Sequence, residues 1–109
     1  MRETYDKLVR DGIPEIIRAD GDEPITHVVE GEEYRGRLHD KLDEEVAEFH
    51  ESGDVEELAD VLAVVDALAE TAGSSSADLD EIRRAKAAER GEFADGIVLD
   101  AVRRSSGGE

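Results

Sequence analysis

Between Leu38 and Leu68 the chain carries two apolar stretches at helical spacing, parted only by Glu51-Ser52-Gly53-Asp54. At about 100° per residue, Leu38, Leu42, Val46 and Phe49 fall on one stripe of a first helix. Leu58, Val61, Leu62, Val64, Val65 and Leu68 crowd a broad face of a second. A connection this short makes the two helices antiparallel neighbours with their stripes facing. The rest of the chain must fit around that pair.

The first helix of the pair is expected from about residue 33 to 51. Asp54 is placed to N-cap the second, with Glu57 three residues on as in a capping box. Gly73 suits the position just past its end. Gly73-Ser-Ser-Ser76 is a loop before a third helix over residues 77–90, closed by Gly91. Upstream, Pro14 fits the first turn of a short helix through about Asp20, and Gly21-Asp-Glu-Pro24 is a turn. The β-branched runs Ile25–Val29 and Ile97–Leu99 read as two short strands able to pair, and residues 103–109 as a frayed tail. The expectation is a mainly α chain: an antiparallel helix bundle with short terminal β segments, one domain over 1–109.

The 30 acidic residues stand against 13 basic ones, a formal charge of −17. That sign argues against nucleic acid or an anionic membrane as the main partner. The basic set is ten Arg and three Lys, which together with the acid excess points to a protein that works in high salt, where self-repulsion is screened. The competing reading is an ordinary acidic protein. There is no cysteine, so no thiolate site exists. The apolar run Val61–Ala69 is too short to span a bilayer, and the N-terminus has no apolar signal region. The default location is the cytoplasm.

Spacing alone does not single out functional acids. Glu48/Glu51, Asp54/Glu57, Asp78/Glu81 and Glu89/Glu92 all share one three-residue interval. Direction says more. On the helical wheel Glu45 falls beside Leu38, on the stripe that should pack, while Glu44 faces away and Glu48 sits on the shoulder. On the second helix Glu57 falls between Val64 and Leu68, with Asp60 at the edge of that face. A carboxylate on a packing face needs a proton, a base or a metal. The four acids can meet across the seam, and an all-oxygen set suits Mg²⁺ or Mn²⁺. Neutralisation by Arg or Lys, or a wet helix edge, explains the pattern equally well. Di-iron chemistry wants Glu-x-x-His pairs; Ala47 precedes His50 and Gly36 precedes His39 at that interval, so both histidines are assigned to the surface, and His27 to a structural role.

Glu44-Glu45-x-x-Glu48 followed by Glu56-Glu57-x-x-Asp60 resembles the metal-binding signature of the all-α nucleoside triphosphate pyrophosphatases, which include MazG-like proteins and phosphoribosyl-ATP pyrophosphatase. Lys7-Leu-Val-Arg10-Asp-x-Ile-Pro14 is similar to the opening of a MazG-like subgroup. Lys86-x-x-Glu89-Arg90-Gly91-x-Phe93 with Ile97–Leu99 is similar to its closing segment, except that Glu92 stands where a second Gly is usual. The likeness spans about residues 5–100.

The resemblance implies hydrolysis of a nucleotide between its α- and β-phosphates, with Mg²⁺ (or Mn²⁺) on Glu45, Glu48, Glu57 and Asp60 and either Glu45 or Glu48 as the proton acceptor. It makes Lys7, Arg10, Lys86 and Arg90 candidate phosphate partners, against surface salt bridging as the alternative. Tyr5, Tyr34 and Phe93 are candidates for stacking on a base, with the core the safer place for Phe93. It also implies a homodimer or larger homo-oligomer, because the apolar helix around residues 61–68 would be overexposed in a lone chain. A non-catalytic acidic interaction module, and a nucleotide-binding relative that does not cleave, are the rival readings.

Overall fold

The computed structural model of the chain describes residues 2–105. It is helical, with α1 at Ile13–Ala19, α2 at Gly31–Ser52, α3 at Val55–Thr71 and α4 at Ser76–Arg90. α2 and α3 form the antiparallel hairpin, and α4 folds back to touch α3 alone. Of the expected tail, residues 106–109 lie outside the described residues.

The hairpin turn is closed by Gly53 at φ 70°, a left-handed conformation that suits glycine, and its N–H donates to the Phe49 carbonyl at 2.7 Å. Asp54 is the N-cap of α3, but its side chain caps nothing. The expected capping box is absent: the Glu57 N–H donates to the Asp54 backbone carbonyl at 3.0 Å and the Asp54 N–H to Ser52 Oγ at 3.1 Å. The box that does form is at α4, where Ser75 Oγ accepts from the Asp78 N–H and Asp78 Oδ2 accepts from the Ser75 N–H. α3 ends at Ala72 with Gly73 at φ 84°, and the Ser74 N–H reaches back to the Ala69 carbonyl.

The two β segments are not formed. Ile25–Val29 and Ile97–Leu99 lie outside regular structure, and no strand occurs among the described residues. β-branched residues favour an extended surface only when a neighbouring strand supplies hydrogen bonds and side-chain contacts. Neither segment meets one, and Val28 stays 95% exposed. Phe93 is likewise not a core residue: it is 97% exposed, in the chain beyond α4.

The hairpin seam holds the little that is buried. Leu38 and Val64 are the buried apolar residues among those described, and Glu45 lies beside them. The Cα radius of gyration is 20.1 Å, against about 13 Å for a packed domain of this length. α3 has a broad apolar face, with Glu56, Asp66 and Glu70 on the other side, wider than one neighbouring helix covers. Val55, Leu58 and Leu62, spaced along one side of it, are exposed, Leu62 by 62%. No described helix is long and apolar enough to cross a membrane.

Candidate metal centre

α2 presents Lys41, Glu44, Glu45 and Glu48 within two turns, at intervals of three and four that bring side chains together. α3 presents Glu57 and Asp60 from the facing side, one turn before Val64. Glu45 is the hub. Its carboxylate lies within 4.8 Å of oxygens from Glu57 and Asp60, and equally of oxygens from Glu44 and Glu48. Only 7% of Glu45 is exposed, and its Oε2 is buried with no hydrogen-bond partner. An unpaired buried carboxylate oxygen is costly, so this atom calls for a proton, a base, a water or a cation.

Basic groups close the cluster on one side. Lys41 Nζ lies 2.7 Å from Glu44 Oε2 and 3.2 Å from Glu45 Oε1. Lys7 Nζ lies 3.5 Å from Glu44 Oε1. Arg10 donates to Asp60 Oδ1 at 2.7 Å. The segment carrying Lys7 and Arg10 is held over the hairpin by Arg37, which donates to the Asp6 carbonyl oxygen at 2.9 Å and pairs with the Asp6 carboxylate. Between this segment and the seam runs a cleft of about 270 Å³, lined among others by Leu8, Arg10, Tyr34, Lys41, Glu45 and Asp60.

All four carboxylates picked out from the sequence are thus brought together, joined through Glu45. Lys7 and Arg10 reach the cluster, each engaged to an acid. Lys86 and Arg90 do not: both are exposed on α4, with no ion-pair partner among the described residues. Tyr34 lines the cleft, whereas Tyr5 is exposed and bonds to Glu3. His27, His39 and His50 are all exposed. One member, Lys41, is not singled out by the sequence, and Glu44 is expected there to face away. Glu44 faces away on an isolated wheel, but Lys7 and Lys41 half-cover it. The interval of Lys41 to both glutamates, three and four residues, was the available signal.

The cluster perturbs its own titration. The Glu48 carboxyl is pushed up, first by sharing a hydrogen bond with Glu45 and then by that group's charge. Glu57 is pushed up by burial, then by the Asp60 and Glu45 charges. Glu44 is pulled down, chiefly by its hydrogen bond from Lys41. Burial disfavours the Lys41 ammonium, but its bonds to Glu44 and Glu45 outweigh that and raise it. Asp80, on α4, is pulled down by Arg83.

A pH dependence follows. Glu48 and Glu57 bind protons more readily folded than unfolded, so their ionisation above the ordinary carboxylate range works against the fold. Glu44 and Asp80 do the reverse: their contribution is present above the unfolded carboxylate pKa and disappears as pH falls through their lowered values. In chelator, the melting temperature is expected to rise on acidification from neutral pH, pass a maximum, and then fall. Glu48→Gln should flatten the rising limb. A melting temperature that declines steadily from pH 7 downward would contradict this.

No family model matches the chain, and no solved structure matches it significantly. Over 43 residues it is 55% identical to an uncharacterised protein of Mycolicibacterium smegmatis. The matched stretch is 39% of this chain and 44% of that protein, so it spans less than half of either.

Proposed function

We propose that the chain is a divalent-cation-dependent nucleotide pyrophosphohydrolase that cleaves a nucleoside triphosphate, or a related nucleotide, between the α- and β-phosphates. The observation that carries the cation part is Glu45: a buried carboxylate with one unpartnered oxygen, amid three further acids from two facing helices and Glu44. The choice of reaction comes from the motif resemblance, of whose residues Arg10, Glu45 and Asp60 line one cleft.

In this reading Glu45, Glu48, Glu57 and Asp60 hold Mg²⁺ (or Mn²⁺). When bound, the cation neutralises phosphate oxygens and lowers the pKa of a coordinated water. The chain's own residues divide the remaining work. Glu48, exposed where Glu45 is buried, is the better placed of the two candidate bases to exchange a proton with water at a carboxylate oxygen. Lys7 and Arg10, on the segment over the cleft, supply positive charge for an anionic chain of phosphates. Tyr34 and Leu8 offer apolar surface to a base or sugar. Lys86 and Arg90 enter only if a second copy brings its α4 to the cleft.

A homodimer or larger assembly belongs to the same proposal. Three buried side chains do not make a core, and Leu58 and Leu62 of α3 face open solvent in the single chain. We place the protein in the cytoplasm, where nucleoside triphosphates are made and used; a fractionation that finds it outside the cell would refute that placement.

The test is product identity. Phosphorus NMR of a nucleoside triphosphate panel with Mg²⁺ should show monophosphate and pyrophosphate. Diphosphate and orthophosphate would point to the wrong bond. No turnover across the panel would favour a non-catalytic interaction module.

A further inference from the structure

Lys41 has no role in the scheme above, yet it touches both members of the adjacent glutamate pair. Its side chain is only 16% exposed. Its Nζ contacts Glu44 Oε2 at 2.7 Å and Glu45 Oε1 at 3.2 Å. The other Glu44 oxygen, Oε1, faces Lys7 Nζ at 3.5 Å. Both oxygens of Glu44 are therefore engaged by ammonium groups. Glu45 has one oxygen engaged and the other, Oε2, buried and without a partner.

We propose that Lys41 is a positioning residue that gives the two neighbouring glutamates different jobs: it ties up Glu44, and it turns Glu45 so that one bare oxygen faces the cation. The inference rests on the divalent-cation reading of the site. Its physical basis is a fork: residues 44 and 45 are three and four positions after Lys41, so one ammonium on the same helix face can reach both. Groups that orient a metal-binding side chain without touching the metal typically set affinity by about 10- to 100-fold.

The sign of one measurement separates positioning from charge. Lys41 is a cation beside an acidic cluster, so simple electrostatics says that removing it tightens cation binding. Positioning says the opposite. Mn²⁺ titrated calorimetrically into purified full-length protein should bind Lys41→Met about tenfold or more weakly than wild type. Lys41→Arg, which keeps a donor at this place, should recover most of that loss. Glu44→Gln should bind Mn²⁺ within about fivefold of wild type, as expected for loss of a part-exposed ion pair, whereas Glu45→Gln should lose binding.

Equal or tighter binding by Lys41→Met would overturn the proposal while leaving the metal centre standing. A loss in Glu44→Gln as deep as in Glu45→Gln would make Glu44 a ligand and overturn it too. Absence of Mn²⁺ binding by wild type would remove the metal centre, and this inference with it. Melting in chelator identifies any variant that fails to fold; should that be Lys41→Met, the Glu44→Gln comparison decides.

Discussion

Glu45→Gln is expected to lose on the order of 100-fold or more in pyrophosphate release and yet to melt at a higher temperature in chelator. In the proposed site the loss follows from removing a charge that would face the cation: electrostatic stabilisation by a bound metal is worth several kcal/mol, and about 3 kcal/mol corresponds to 10²-fold in rate. The gain follows from the metal-free geometry. Glu45 is surrounded by Glu44, Glu48, Glu57 and Asp60, and its Oε2 has no partner. A glutamine removes one negative charge from that group. Its amide oxygen can keep the contact to Lys41 and its NH₂ can donate to a neighbouring carboxylate. Relief of one unsatisfied buried oxygen is worth about 1–3 kcal/mol, or several degrees in a chain of this size. A purely structural Glu45 predicts a lower melting temperature, because the contact to Lys41 would be weakened for no return. Activity assays and melting curves of the same preparation in chelator check both halves.

Divalent cation is expected to stabilise the wild-type protein strongly. A ligand at about one hundred times its Kd adds about 2.7 kcal/mol to the folded state. For a domain near one hundred residues each kcal/mol shifts Tm by about 4–8 °C. A rise on the order of 10 °C is therefore expected with saturating Mn²⁺. The cation relieves repulsion between Glu48, Glu57 and their neighbours and partners the free Glu45 oxygen at once. It should also remove the melting response to mild acidification, since protons and Mn²⁺ compete for the same carboxylates. Potassium at matched ionic strength screens the surface without filling the site, and so should give a smaller rise. Equal rises with Mn²⁺ and with ionic strength alone would mean that these acids are simply part of a charged surface.

The helices were legible because period, caps and breakers agreed. Pro14, Gly53, Gly73 and Gly91 mark boundaries within a residue or two of those observed. Glu45 was legible because a charged residue on an apolar stripe is an inconsistency that the wheel exposes. Other features depended on parts of the molecule that periodicity does not encode. Glu44 turns away from the seam on its own helix, and Lys41 together with Lys7 of the N-terminal segment makes it half-buried. The Asp54 capping box lost its backbone donor to Ser52, a competition inside a turn. Val28 and Ile97 have the residue type of strands, but pairing requires a neighbouring strand, and among the described residues neither has one. Phe93 reads as core by composition and is exposed because nothing in the described chain folds over it.

The most direct measurement is anomalous diffraction from crystals grown or soaked with Mn²⁺. A peak bounded by Glu45, Glu48, Glu57 and Asp60 is the predicted result, with Glu45 Oε2 among the ligands. A second copy covering Leu58 and Leu62 is predicted in the same crystals. No peak at the cluster, with Glu45 Oε2 hydrogen-bonded to protein or water, would contradict the metal centre and with it the proposed chemistry.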